Sequence, residues 1–237
     1  MTDTELEPVP EDWNRALAIV AHPDDMEYGA SAAVARWADQ GKTITYLLVT
    51  RGEAGIDTIE PARCGELRGA EQRAACAAVG VRDLRWLDHP DGLVQPTIEL
   101  RRDIAKVIRA TQPELLLLSH YGDTWPQGAI NHADHRAVGI AAIDAARDAA
   151  NRWLFPDAGP SWSGLRYLAV AASPDARHAV DVTDHLDAGV ASLQCHEVYL
   201  ANLDPPPDPD SFLREMTAGA GPGLGVPHAV TFQMVPI

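Results

Sequence analysis

Ala16-Leu-Ala-Ile-Val-Ala-His-Pro-Asp-Asp-Met-Glu27 is the stretch of sequence that decides the fold. An apolar run that stops at a proline is typical of a buried strand in a parallel sheet. His22, Asp24 and Asp25 follow at the carboxyl end of this strand. Because ligands of open α/β sheets bind at that edge, we interpret the three polar residues as part of a site.

Strand and helix patterns alternate along the rest of the chain. The predicted strands after the first are 43–50, 84–87, 115–118, 165–172, 178–182 and 229–235, and the predicted helices are 29–40, 64–79, 98–110, 134–144 and 184–195. This alternation predicts a Rossmann-like, three-layer α/β/α fold with a mostly parallel central sheet and right-handed crossovers. We expect residues 1–237 to form a single domain, with 1–12 flexible and the proline- and glycine-rich segment 200–225 a loop or lid.

The composition argues against several classes of protein. The chain of 237 residues has 19 basic and 34 acidic side chains, a formal net charge of −15, which would repel nucleic acid. Its three cysteines, at unrelated spacings, favour neither a disulfide framework nor a thiolate zinc site. The sequence shows no export signal and no apolar run near the roughly 20 residues that span a bilayer. We therefore expect a cytoplasmic protein without a membrane span, and homo-oligomer formation stays open.

A second polar segment, Asn131-His-Ala-Asp-His135, follows the fourth predicted strand at the entry to a helix. Together with the first segment it offers two imidazoles and a carboxylate, which suit a catalytic zinc site with one position open for water. Spare acid and base groups beside such ligands favour hydrolysis of an amide or ester. His120, at the end of the same predicted strand, is a candidate for the wall of this site.

Each segment also has a purely structural interpretation. The aspartates of the His-Pro-Asp-Asp turn could bond backbone amides at the end of a strand. Asp134 could stabilise a helix N-terminus through the helix dipole. The occurrence of both segments at matching strand ends favours one shared site.

The motifs together resemble the PIG-L or LmbE-like N-acetylglucosaminyl deacetylase family, which is zinc-dependent. The resemblance rests on four segments and a weaker fifth match: Ala21-His-Pro-Asp-Asp25 with Glu27, Thr50-Arg-Gly-Glu-Ala-Gly55, Arg63-Cys-Gly-Glu-Leu-Arg68, His132-Ala-Asp-His135, and Asp181-Val-Thr183 with His196. It implies one Zn²⁺ held by His22, Asp25 and His135, with Fe²⁺ as the alternative ion. It also implies that Asp24 is the general base that acts on water.

The same resemblance implies roles for residues around the metal. His132 would stabilise the oxyanion or protonate the leaving amine, with its charge tuned by Asp134. The predicted substrate-binding residues are Glu53, Arg68, Asp91 and His120. A surface ion pair is the structural alternative for Arg68, and loop capping is the alternative for Glu53.

The predicted function is removal of an N-acetyl group from an amino-sugar derivative, such as an N-acetylglucosaminyl conjugate. One alternative keeps the zinc site but cleaves the amide of a thiol conjugate or another acyl-amino natural product. A second alternative is a non-catalytic, metal-dependent binding protein, which Asp24 argues against because binding alone needs no spare base. Nucleotide binding is disfavoured, since no Gly-x-Gly-x-x-Gly follows the first strand.

The chain departs from the family pattern at three places. Ala133 stands where proline is frequent, Gly189 where lysine is usual, and Glu197-Val-Tyr199 follows His196 where Ser-Gln is expected. Two of these departures lie in the carboxyl-terminal part, which shapes the acceptor end of the pocket. We therefore expect substrate specificity to differ there.

Overall fold

The computed structural model describes residues 5–237, and these are built on one eight-stranded sheet. The strands are β1 (Glu7–Pro8), β2 (Arg15–Val20), β3 (Thr43–Leu48), β4 (Asp83–Trp86), β5 (Leu115–Ser119), β6 (Tyr167–Ala171), β7 (His178–Asp181) and β8 (Ala229–Pro236). The helices are α1 (Asp25–Gly29), α2 (Ser31–Asp39), α3 (Pro61–Ala78), α4 (Ile98–Thr111), α5 (Ala133–Ala150), α6 (Leu186–Gln194), α7 (Glu197–Ala201) and α8 (Pro209–Leu224). None of these helices is both long and apolar enough to cross a membrane.

The strand order in the sheet is β1-β7-β8-β6-β5-β2-β3-β4. β8 lies antiparallel between β6 and β7, whereas the other neighbouring strands run parallel. Helices cover both faces of the sheet. The predicted three-layer α/β/α fold with a mostly parallel sheet is therefore confirmed.

Alternate side chains of β2 enter two separate hydrophobic cores. Ala16, Ala18 and Val20 pack in the core that includes α2 and α6, whereas Leu17 and Ile19 pack in the core of α4 and α5. A strand buried on both faces needs apolar residues at every position. This explains the continuous apolar run that the sequence shows.

β2 and β5 lie side by side at the point where the strand order reverses. The helices that follow β2 pack on one face of the sheet, and α5, which follows β5, packs on the other. The loops after the two strands therefore separate and leave a crevice at their carboxyl ends. This crevice receives both polar segments.

Two segments differ from the prediction. The first is 1–12, which was expected to be flexible and of which residues 1–4 lie outside the described residues. β1 pairs with β7 and Val9 is buried, so the expectation is wrong for residues 7–9. The expectation of a loop or lid over 200–225 is wrong for 209–224, which form α8. Pro209 stands in the first turn of α8, where its missing amide hydrogen costs nothing, and the Asp208 side chain caps that turn.

Close packing of α6 on α2 requires a glycine at position 189. A Cβ there would lie 2.8 Å from the Cβ of Ala32 and 2.9 Å from its backbone nitrogen. We expect Gly189→Ala to lower the free energy of unfolding by about 1–3 kcal/mol, because the helices must move apart. The larger lysine that is usual in the family would not fit at this distance.

Gly219 on α8 provides the matched control, since a Cβ there meets nothing within 4 Å among residues 5–237. Gly219→Ala should raise the free energy of unfolding by about 0.5–1 kcal/mol through the lower backbone entropy of the unfolded chain. Urea unfolding of both variants measures these changes. A Gly189→Ala protein as stable as the unsubstituted chain would contradict the close packing.

Candidate functional site

His22, Asp25 and His135 converge on one point in the crevice, and we call them the ligand trio. His135 Nε2 lies 2.9 Å from Asp25 Oδ1 and 3.3 Å from His22 Nδ1. His22 Nδ1 lies 3.8 Å from Asp25 Oδ1. Tetrahedral Zn²⁺ with bonds of about 2.0–2.1 Å places its ligand atoms about 3.3 Å apart, so the trio fits such an ion.

Hydrogen bonds within the protein orient Asp25 through Oδ2 and His135 through Nδ1. Asp25 Oδ2 accepts hydrogen bonds from the backbone amides of Ala21 and His22, both at 3.0 Å. His135 Nδ1 lies 2.8 Å from Asn131 Oδ1, and the amide oxygen makes this ring nitrogen the donor. Asp25 Oδ1 and His135 Nε2 therefore keep lone pairs for a metal ion, as ligands oriented by outer hydrogen bonds do.

Two carboxylates hold the ring of His22 from the side away from the trio. His22 Nε2 lies 3.2 Å from Asp134 Oδ2 and 3.0 Å from Asp91 Oδ1. Burial alone would lower the pKa of His22, but hydrogen bonds to Asp134, Asp25 and Asp91 raise it well above its ordinary value. Carboxylates that favour a proton on this ring also favour a metal cation beside it.

Asp24 lies beside the trio with one carboxylate oxygen free. Its Oδ1 is 3.5 Å from Arg68 Nη2, and its buried Oδ2 has no hydrogen-bond partner among the described residues. Burial raises the pKa of Asp24 to about 8, against the opposing effect of Arg68 and with a further increase from Asp25. A buried carboxyl group with a raised pKa and a free oxygen has the properties of a proton acceptor.

Arg68 is buried and joins two loops at the wall of the pocket. Its guanidinium donates to the carbonyl of Pro23 at 2.8 Å and to that of Gly52 at 3.1 Å. The guanidinium carbon also lies 4.0 Å from the centre of the Tyr199 ring. These contacts remove the alternative of a surface ion pair, and they place Arg68 next to Asp24.

His132 lies at the mouth of the pocket as the N-cap of α5. Its Nδ1 accepts from the backbone amide of Asp134 at 3.2 Å, and its ring stands edge-on to His22 with centroids 4.8 Å apart. Burial and the neighbouring His22 lower the pKa of His132, while the Asp134 charge raises it. The Asp134 carboxylate is hydrogen-bonded to His22 and not to the ring of His132. It therefore affects the pKa of His132 only through its charge.

The other predicted substrate-binding residues differ in their relation to the pocket. Asp91 lines it, and its Oδ2 accepts from the backbone amide of Ala54 at 2.9 Å. Glu53 Oε1 accepts from the backbone amide of Asp91 at 2.9 Å, so Glu53 supports the pocket from behind, which fits its loop-capping alternative. His120 Nε2 lies 3.0 Å from the Thr124 carbonyl oxygen and stands outside the pocket lining.

Three aromatic side chains that the sequence analysis did not single out line this pocket of about 420 Å³: Tyr28, Trp125 and Tyr199. The Trp125 ring stands edge-on to His135, with centroids 5.6 Å apart. The three residues lie on α1, on the loop after β5 and on α7. No local sequence pattern connects positions so far apart, so only the fold brings them together.

Two buried amide side chains were also missed. Asn131 holds His135 through Oδ1, and its Nδ2 donates to the carbonyl of His120 at 3.0 Å. Gln72 Oε1 accepts from the backbone amide of Asp24 at 3.0 Å. Asn131 is the first residue of the second polar segment and could have been found there, whereas nothing in the sequence near Gln72 indicates its partner.

Comparisons with known proteins identify relatives of this chain. Residues 17–146 match the family model described as PIG-L, GlcNAc-PI de-N-acetylase. The diacetylchitobiose deacetylase of Thermococcus kodakarensis is 27% identical, and the match covers 78% of this chain and 70% of that protein. The 1D-myo-inositol 2-acetamido-2-deoxy-alpha-D-glucopyranoside deacetylase of Thermomonospora curvata is 26% identical, with 81% of this chain and 83% of that protein covered.

A solved structure has the same fold. The N,N'-diacetylchitobiose deacetylase of Pyrococcus horikoshii superposes with a TM-score of 0.83 over 95% of this chain and 85% of that chain. Its sequence is 24% identical to this one.

Proposed function

We propose, from the premise that this chain belongs to the PIG-L family of GlcNAc-PI de-N-acetylases, that it is a metal-dependent hydrolase of N-acetylated amino-sugar derivatives. The family match covers more than half of the 237 residues, so the resemblance predicted from the motifs is confirmed. The predicted enzyme class, a hydrolytic deacetylase, agrees with the relatives, which are deacetylases. We infer the roles of the residues, the identity of the ion and the class of substrate.

The observation that carries the proposal is the free oxygen of Asp24 beside the convergent ligand trio. His22, Asp25 and His135 would hold the metal ion, for which we propose Zn²⁺, with Fe²⁺ as the alternative. Nitrogen and carboxylate donors suit both ions. When bound, such an ion polarises a carbonyl group and lowers the pKa of water.

The residues of the chain divide the steps of hydrolysis between them. Asp24 accepts the proton of the attacking water. Arg68 and the side-chain amide of Gln72 hold the His22-Pro-Asp-Asp25 turn in place. His132 also lines the pocket and stabilises the oxygen that becomes negative. The water oxygen then joins the acetyl carbon, the carbon–nitrogen bond breaks, and the proton from Asp24 ends on the amine. Acetate and a free amino sugar are the products.

The pocket supports a small sugar substrate. Its volume of about 420 Å³ lies in the range of small-molecule sites, and its wall combines aromatic rings with the charged groups of Arg68 and Asp91. The amidase alternative uses the same centre and differs only in the group that carries the amide. The binding-protein alternative leaves the free oxygen of Asp24 without a role. A cytoplasmic location stays a prediction from the sequence, and homo-oligomer formation stays open.

Chelation and metal return test the proposal directly. We expect protein loaded with Zn²⁺ to release acetate and free amine in equal amounts from at least one member of a panel of N-acetylglucosamine, diacetylchitobiose, N-acetylglucosaminyl-inositol and a thiol conjugate of N-acetylglucosamine. Removal of the metal by a chelator should abolish release, and added Zn²⁺ should restore it, because the three ligand side chains cannot activate water alone. Metal-loaded protein that binds these compounds without releasing acetate would favour the binding-protein alternative.

A further inference from the structure

A second cleft of about 460 Å³ adjoins the pocket of the ligand trio. The two cavities share four lining residues: Asp25, Tyr28, Ser119 and Trp125. From Tyr28 and Trp125 the cleft extends to α8 and to the loop after β6. A ligand in the pocket can therefore continue into the cleft without leaving the protein surface.

Helix α8 presents two apolar side chains to this cleft. Phe212 and Met216 line it, and their spacing of four residues places them on the same face of the helix. Leu213 and Thr217 of the same helix are buried in the protein. Phe212 is 41% exposed and stands edge-on to Tyr28, with ring centroids 5.5 Å apart. Phe212 and Met216 therefore add exposed apolar surface to the cleft, which a ligand can cover.

Polar side chains of the cleft include Tyr28, Gln127 and Thr231, and two further hydroxyl groups already have partners within the protein. Ser173 Oγ donates to Gln233 Oε1 at 2.7 Å, and Ser119 Oγ donates to the carbonyl of Asp25 at 3.4 Å. Much of the remaining wall is carbon: Gly29, Pro126, Ala171, Ala172, Pro174 and Met216. A hydrocarbon group would gain from burial against this carbon.

We propose that the cleft binds an apolar alkyl or aryl substituent carried on the sugar of the substrate. This inference rests on the proposed function, and it defines the substrate class as N-acetylated amino sugars with an apolar aglycone. The acetyl group has only two carbons, and its carbonyl must lie at the ligand trio. A group that reaches Phe212 therefore belongs to the sugar side of the amide.

A homologous series of alkyl N-acetylglucosaminides, from methyl to octyl, tests the inference. Burial of each methylene contributes about 0.8 kcal/mol, so we expect kcat/KM to rise about fourfold per methylene over the first part of the series. In Phe212→Ala the ratio of octyl to methyl kcat/KM should fall at least tenfold, with thermal unfolding as the check on folding. Trp153→Ala, which removes an exposed aromatic ring outside the cleft, should leave this ratio unchanged.

Calorimetric titration separates this inference from the proposed function, because it needs no turnover. The free amines, octyl and methyl glucosaminide, are the probes, and we expect the octyl compound to bind more tightly to the unsubstituted protein but not to Phe212→Ala. Equal kcat/KM along the series together with equal binding would overturn the inference and leave the deacetylase intact. A rate that grows only with the length of the N-acyl group would also overturn it, by assigning the cleft to the acyl chain. Preferential octyl binding without acetate release would instead contradict the proposed function alone.

Discussion

Asp24→Asn is expected to lower kcat by about 10²–10⁴-fold while the protein keeps its metal ion. The amide has the shape of the carboxylate but cannot accept the proton of water. Asparagine also tolerates the left-handed backbone of this position, where φ is 83°, better than alanine does. Among residues 5–237 Oδ2 has no hydrogen-bond partner, so besides the base the change removes only the negative charge beside Arg68. Steady-state kinetics together with metal analysis of the same sample measures the effect.

Asp123→Asn is the matched control for this prediction. Asp123 lies on the loop after β5, and its side chain is 96% exposed. The control should keep the kcat of the unsubstituted protein and its metal content. An Asp24→Asn protein with full activity would show that another group removes the proton.

His135→Ala is expected to abolish both metal binding and acetate release. The change removes one of three ligands and leaves the Asn131 oxygen without its imidazole partner. Loss of an outer partner of a metal ligand already costs about 10–100-fold in affinity, and loss of the ligand itself should cost more. Metal content per chain, measured by mass spectrometry after dialysis, should fall from about one to near zero.

His132→Ala is the control on the same helix, because His132 lies outside the ligand trio. It should keep its metal ion and lower kcat by about 10²–10³-fold, as expected for the loss of one group that stabilises an oxyanion. Loss of metal from both variants, or from neither, would contradict the assignment of His135 as ligand and of His132 as the group that stabilises the oxyanion.

The parallel core of the fold could be predicted because its strands are buried on both faces. β2 and β5 read as apolar runs, His22 follows two residues after the end of β2, and β5 ends at Ser119, which lines the pocket. α8 was missed because its prolines and glycines are typical of loops. Pro209 occupies the first turn, and Gly221 lies where a Cβ would approach the Val226 carbonyl oxygen to 2.3 Å, so both residues fit a helix that ends in a tight turn.

The candidate site could be predicted in part for the same reason. The ligand trio and Asp24 belong to two short motifs, and strand alternation brings such motifs to one edge of the sheet. The partners of each side chain depend on packing between distant segments. The sequence predicted that Asp134 tunes its neighbour His132, whereas in the structure its carboxylate is hydrogen-bonded to His22. It also predicted that Glu53 binds substrate, whereas the Glu53 carboxylate joins two loops.

The position of β8 has a consequence for the order in which the molecule assembles. β7, and β1 through it, join the described sheet by way of β8, which follows both in the sequence. During synthesis on the ribosome, β2, β3, β4, β5 and β6 can pair as soon as residue 171 has emerged, whereas β7 has to wait for residues 229–236. Pairings between distant segments close late because their loop entropy must be overcome first. The edge of the sheet that carries the proposed metal site therefore forms early in biosynthesis, and the apolar wall contributed by α8 is completed at the end.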